Sequence, residues 1–145
     1  MKSGSKLVLA AGAGLLAWLP LAQLEAHHST AEFNYAKNVA LKGRIKEVQW
    51  TNPHSYIQVM VPKAGGGTDQ WGIEIGAPAI NIKMGWRKNS VKAGDEVTLN
   101  VAPARNGTTY GTLRTLTLKD GTTLKGVAAI VTSDANGYAI IGKQP

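Results

Sequence analysis

The chain has 145 residues, 16 basic and 9 acidic side chains, a formal net charge of +7 and no cysteine. Without cysteine, a disulfide framework and a lipoprotein anchor are excluded, and packing alone must hold the fold. The length is enough for one domain with one hydrophobic core.

Residues 1–26 have the layout of a secretory signal. Lys2 and Lys6 form the charged start, Leu7 to Leu21 is apolar, and Leu24-Glu25-Ala26 offers a cleavage site. An uncleaved anchor is disfavoured: the apolar run falls short of the roughly 20 residues a spanning helix needs. Cleavage after Ala26 is expected to leave residues 27–145 as a single periplasmic or secreted domain, with no transmembrane segment. The signal takes Lys2, Lys6 and Glu25, so the mature chain keeps a net charge of +6. Outside the cytoplasm, such a charge points to anionic envelope components rather than nucleic acid, or simply to a solvated basic surface.

Residues 27–38 show no sustained period and must be pinned by specific contacts or remain loose. From residue 39 a period of two dominates. Val39, Leu41 and Ile45 alternate with a basic ladder of Lys42, Arg44 and Lys46. The phase then slips at Val48 and Trp50, which predicts a bulge near Glu47. The next strand places Ile57, Val59 and Val61 on one face and His54, Tyr56, Gln58 and Met60 on the other. After the Gly65-Gly66-Gly67 turn, Trp71, Ile73 and Ile75 point inward, which turns Glu74 outward.

Pro78 to Trp86 breaks the alternation and reads as a short helix with Ile80, Met84 and Trp86 on one side. Alternation returns after Lys92-Ala93-Gly94-Asp95 with Val97, Leu99 and Val101. Asn106-Gly107 and Asp120-Gly121 are hairpin turn signals. A closing hairpin is expected from Val127–Val131 and Tyr138–Ile141, across Asn136-Gly137. Three strands, a helix and two strands is the order of a five-stranded OB-like barrel, here with an extra C-terminal hairpin. A small sandwich is the alternative.

The mature chain holds three histidines, His27, His28 and His54. Cleavage after Ala26 would give His27 a free α-amine beside its imidazole, and those two nitrogens can chelate one metal ion. All-nitrogen ligation suits copper(II), which heads the affinity order of the divalent first-row metals. With His54 as a third nitrogen, the set matches the histidine brace of copper chaperones and copper monooxygenases. The competing reading makes His27 and His28 a frayed terminus and His54 a strand-start residue bonded to a backbone carbonyl. In Trp50-Thr51-Asn52-Pro53-His54, Asn-Pro is a turn starter that presents His54 at the head of a strand. Trp50 beside it reads as a core or rim plug.

His27-His28-Ser29, Leu41-Lys42-Gly43, Trp50-Thr51-Asn52-Pro53-His54, Trp71 with Glu74, Gly85-Trp86 and Lys92-Ala93-Gly94-Asp95-Glu96-Val97 together resemble a bacterial domain-of-unknown-function family of exported proteins. That family has a His-His-Ser mature start and a Trp-x-Asn-Pro-His motif, and the resemblance runs from about residue 27 to residue 121. It implies export and a shared site built from those motifs, without an assigned activity. Two departures stand out. Asn34 takes the place of an acidic residue after Glu32-Phe33, and the chain continues unusually far past Asp120-Gly121.

The site expected from these readings has His27, His28 and His54 as metal ligands. Trp50, Asn52, Tyr56, Trp71 and Glu74 stand around it or on a ligand face. Glu74 is a candidate ligand, base or orienter of a histidine. The favoured reading makes it an exposed carboxylate paired with Lys42, Arg44 and Lys46. Ser29 and Ser55 adjoin histidines, but no nucleophile–base–orienter set appears, so no catalytic residue is assigned. Gly65-Gly66-Gly67 lacks the lysine pattern of a phosphate loop. Three functions follow in order. The first is a periplasmic copper-binding protein acting as carrier, sensor or scavenger. The second is a non-catalytic OB-type module for an anionic or aromatic-stacking envelope ligand, and the third a copper oxidase or monooxygenase.

Overall fold

The computed structural model describes residues 31–140. The period-two segments become strands β1 (Val39–Gln49), β2 (Ser55–Pro62) and β3 (Thr68–Gly76), then β4 (Glu96–Pro103), β5 (Tyr110–Leu118) and β6 (Thr123–Lys125). Neighbours pair antiparallel in the order β3-β2-β1-β4-β5-β6, and a parallel β3–β5 pairing closes the first five into a barrel. The protein is thus mainly β, an OB-like five-stranded barrel with β6 bonded outside the ring. Closure removes the sheet edges that a sandwich would leave.

The slip in β1 is a bulge: Ile45 faces Val59 and Glu47 faces Gln58, so Lys46 is skipped. Side chains before and after it therefore point inward on opposite parities. A second bulge falls in β5, where Val101 pairs with Leu113 and Asn100 with Thr115, skipping Arg114. Ile57, Val59, Ile73, Ile75, Val97, Leu99 and Val101 are buried as their alternation requires, joined by Leu113 and Leu116. Val61, expected in this core, is only half-buried, because it lies near the end of β2, where the barrel opens toward the glycine turn.

Helix α1 spans Pro78–Lys83, ending earlier than the sequence suggests. Gly85, with φ at 95°, turns the chain, and the Trp86 amide then bonds to the Asn81 carbonyl. Trp86 is consequently not on the helix at all. It is fully buried in the barrel, with its indole N–H bonded to the Lys125 carbonyl at 2.7 Å. The helix buries Asn81 and leaves Ile80 47% exposed, so of the expected inner face only Met84 and Trp86, both past the helix end, pack on the core. Asn81 wins because its side-chain amide donates to the Gly76 carbonyl at 2.9 Å and ties the helix to the end of β3.

Among the described residues the closing hairpin is reduced to a short turn, in which the Asp134 N–H bonds to the Tyr138 carbonyl and the Ile140 N–H to the Thr132 carbonyl. Val127–Ala129 is a 3-10 turn, and the segments around Asn136-Gly137 share a single bridge, Ser133 to Ala139; Ile141 lies outside the described residues. The fuller hairpin is one turn earlier, β5–β6 across Asp120-Gly121. Residues 127–139 instead lie on the outside of the barrel, where Ala128, Val131 and Ala139 pack with Phe33, Tyr35, Ala102 and Ala104.

Candidate functional site

The end of β3 and the start of β5 run side by side, with Gly72 opposite Tyr110 and Glu74 opposite Thr112. Glu74 points out of the barrel, as its parity requires, yet it is only 6% exposed. Two segments outside the ring cover it. Phe33 and Tyr35 come from the N-terminal side, held by an Asn34 N–H bond to the Pro103 carbonyl and a Tyr35 N–H bond to the Gly137 carbonyl. Val127 and Val131 come from the other side. Arg114, the residue skipped by the β5 bulge, fastens both: its guanidinium donates to the carbonyls of Tyr35 and Ala128.

Under this cover the Glu74 carboxylate has one partner on each oxygen. His54 Nδ1 lies 3.1 Å from Oε1, and the Tyr110 hydroxyl donates to Oε2 at 3.1 Å. A glycine at position 72 lets the Tyr110 ring lie flat across β3, since a Cβ there would come within 2.9 Å of that ring. Phe33 then packs on Tyr110 with ring centroids 5.5 Å apart. Tyr56 is the cross-strand neighbour of Glu74 on β2.

The electrostatics follow from burial. Removal from water pushes the Glu74 carboxyl above its ordinary range, and the nearby Glu32 adds to the push, while His54 and Tyr110 oppose it. Tyr35 is raised to about 12, first by burial and then by the Glu74 charge. Burial and the same charge raise Tyr110 and, less deeply placed, Tyr56. The tyrosines therefore stay neutral, and Tyr110 is the one that donates to the carboxylate.

His54 itself is fixed from behind. The Thr51 hydroxyl donates to the His54 carbonyl at 2.9 Å, and the Ser55 hydroxyl donates to the Thr51 carbonyl at 3.3 Å. The Asn52–Pro53 peptide between them is cis. The imidazole is 30% exposed at its side chain and opens on a cavity of about 180 Å3 that Phe33, Tyr35, Glu74, Ile80, Thr112, Val127 and Val131 also line.

Of the residues singled out by sequence, the structure brings His54, Tyr56 and Glu74 together. Glu74 does not pair with the basic ladder, because the Tyr110 ring over Gly72 stands between them. Arg44 pairs instead with Glu96 at 2.7 Å, and Lys46 donates to Gln70 at 2.7 Å. Trp50 and Trp71 pack against the barrel core, and Asn52 is exposed in its loop. His27 and His28 lie outside the described residues. Among the described residues, no group of three or more His, Cys, Asp or Glu side chains is placed to hold a metal ion, and no helix is long and apolar enough to cross a membrane.

Tyr110, Phe33, Tyr35, Thr112 and Arg114 escaped the sequence reading. A tyrosine just after an Asn-Gly turn, opposite a mid-strand glycine, is the signal that was available for Tyr110. The model of a family of unknown function, DUF6152, matches residues 19–114, which takes in both histidine segments, Glu74 and Tyr110. No curated protein and no solved structure matches the chain significantly.

Proposed function

The chain belongs to the DUF6152 family, and from that premise we propose that it is an exported protein that binds copper(II) through His54 and the two N-terminal histidines. One observation carries the reading: the buried Glu74 carboxylate stands 3.1 Å from His54 Nδ1. A carboxylate accepts and does not donate when ionised, so Nδ1 keeps the proton and Nε2 is left with the lone pair a metal needs. This carboxylate–imidazole arrangement is how proteins fix the tautomer and orientation of a metal-binding histidine. The described residues thus supply one nitrogen donor with its orienting group, and His27 and His28 would supply the others.

Chain length is compatible with that set. Phe33 lines the same cavity as His54, and it lies six positions after His27. Such a stretch spans up to about 20 Å, at roughly 3.3–3.6 Å per residue. The α-amine of a chain cleaved after Ala26 would add a donor that no internal residue has. Carrier, sensor or scavenger is the role such a site suits. Catalysis is not assigned, since none of the described side chains forms a nucleophile–base pair with an orienter.

Copper titration of the mature protein, with electron paramagnetic resonance to count nitrogen ligands, tests the reading. One copper(II) should bind, and His54→Ala or one residue added before His27 should each weaken binding strongly and change the nitrogen count. If His54→Ala leaves affinity and spectrum unchanged while the extension destroys binding, the ion is an incidental N-terminal chelate and the reading fails. It fails equally if the unmodified protein binds no copper at micromolar concentration.

A further inference from the structure

The cavity beside His54 has a lining that copper ligation does not use. Its volume is about 180 Å3, and a dry apolar cavity of ~150 Å3 is enough for one benzene ring. Phe33, Tyr35, Val127 and Val131 give it apolar walls, while Glu74 and Thr112 bring polar atoms. These two are 6% and 1% exposed. The Thr112 hydroxyl reaches the Glu74 carbonyl at 3.5 Å, the outer limit of a hydrogen bond, so a closer partner would be preferred. The Glu74 carboxylate has one donor on each oxygen, and its two oxygens together offer about four lone-pair sites.

That combination selects a ligand by shape and charge. An anion is repelled by Glu74 and by the nearby Glu32 charge. A neutral hydroxyl group can donate to the Glu74 carboxylate and accept from the Thr112 hydroxyl at once. One aromatic ring, or an aliphatic body of that size, fills the space between the walls. We propose that this cavity binds a small neutral hydroxy compound the size of phenol, held by Glu74 and Thr112. Val127 and Val131 lie beyond residue 114, where the family match ends. The size limit is therefore set by this chain's own C-terminal segment.

The mature protein without added copper provides the test, so the outcome is independent of the metal reading, and copper titration of the same samples is scored separately. Phenol, anisole and benzoate share one ring; anisole lacks the donor and benzoate is charged. Phenol should shift the Val127 and Val131 methyl signals saturably. Anisole should bind at least about tenfold more weakly, the lower end of what one hydrogen bond to a charged group is worth, and benzoate should leave the signals in place. Thr112→Val should weaken phenol and anisole alike, because both oxygens accept from the Thr112 hydroxyl, and should leave phenol the tighter of the two through its bond to Glu74. Val131→Trp should fill the cavity and remove both. The proposal is overturned if anisole matches phenol, if benzoate binds as well as either, or if Thr112→Val leaves phenol affinity unchanged.

Discussion

The inside of the barrel and the outer face of β3 and β5 are both closed to water, but by different means. Inside, strand alternation brings together Ile57, Val59, Ile73, Ile75, Leu99, Val101, Leu113 and Leu116 with Trp86, and the one polar atom, the Trp86 indole nitrogen, has its partner in the Lys125 carbonyl. Outside, small residues at the end of β4 and just past it, Ala102 and Ala104, leave room for Phe33, Tyr35 and Ala128 to settle from segments flanking the barrel. That second layer traps Glu74 and Thr112 against the sheet, where water no longer serves them. The inner layer supplies stability and needs only hydrophobic volume. The outer layer also covers polar groups, and the pairings it gives Glu74, with His54 and Tyr110, are what make a site.

The largest effect should come from the inner layer. Ile73→Ala removes a fully buried side chain and should cost roughly 2–5 kcal/mol in equilibrium urea unfolding, as large-to-small changes in cores do. A loss below about 0.5 kcal/mol, well under that range, would mean that Ile73 does not face the barrel interior.

The outer layer should respond through its clasp. Arg114→Met keeps the length of the side chain and removes the donors that hold the carbonyls of Tyr35 and Ala128. Leaving such groups unpaired costs about 1–3 kcal/mol. The comparison makes a sharper demand than the energy alone. Amide hydrogen exchange should accelerate at Tyr35 and Ala129 while the amides of Ile57, Ile73 and Leu99 keep their protection relative to the global stability. Uniform loss of protection would show that the two layers unfold as one.

The same division explains what could be read from the sequence. The barrel was legible because burial on one side of a strand imposes a period of two, and because Asn106-Gly107 and Asp120-Gly121 mark turns whose glycines take positive φ. Even the β1 bulge was legible, as a change of parity between Ile45 and Val48. The outer layer leaves no such trace. Glu74 sits at an outward parity, which normally means solvent, and nothing local records that residues 33–35 and 127–131 come from distant parts of the chain to cover it. The helix was misread for a related reason: Asn81 is buried to satisfy the Gly76 carbonyl, a demand of the backbone that hydrophobic periodicity cannot express. His54 and Glu74 were both picked out, but their 3.1 Å approach depends on the pairing of Tyr56 with Glu74 across β2 and β3.

The smallest effect should come from the part of the outer face that stays wet. Arg44 pairs with Glu96 at 2.7 Å, with the two side chains 61% and 48% exposed. Exposed pairs of this kind contribute about 0–1 kcal/mol, because water and salt screen the attraction and ordering two long side chains costs entropy. Arg44→Gln should therefore lower the stability by no more than about 1 kcal/mol, and by less in high salt. Its value lies in what it leaves alone. If the basic ladder were the partner of Glu74, removing a charge from it would disturb the carboxylate and, through it, the His54 ring. With the Tyr110 ring standing between them, the His54 ring proton signals and any copper affinity should match the unmodified protein. A shift of the His54 signals in Arg44→Gln, with the stability preserved, would show that the ladder and the buried carboxylate form one charge network. The distinction between a wet and a covered outer face would then be lost.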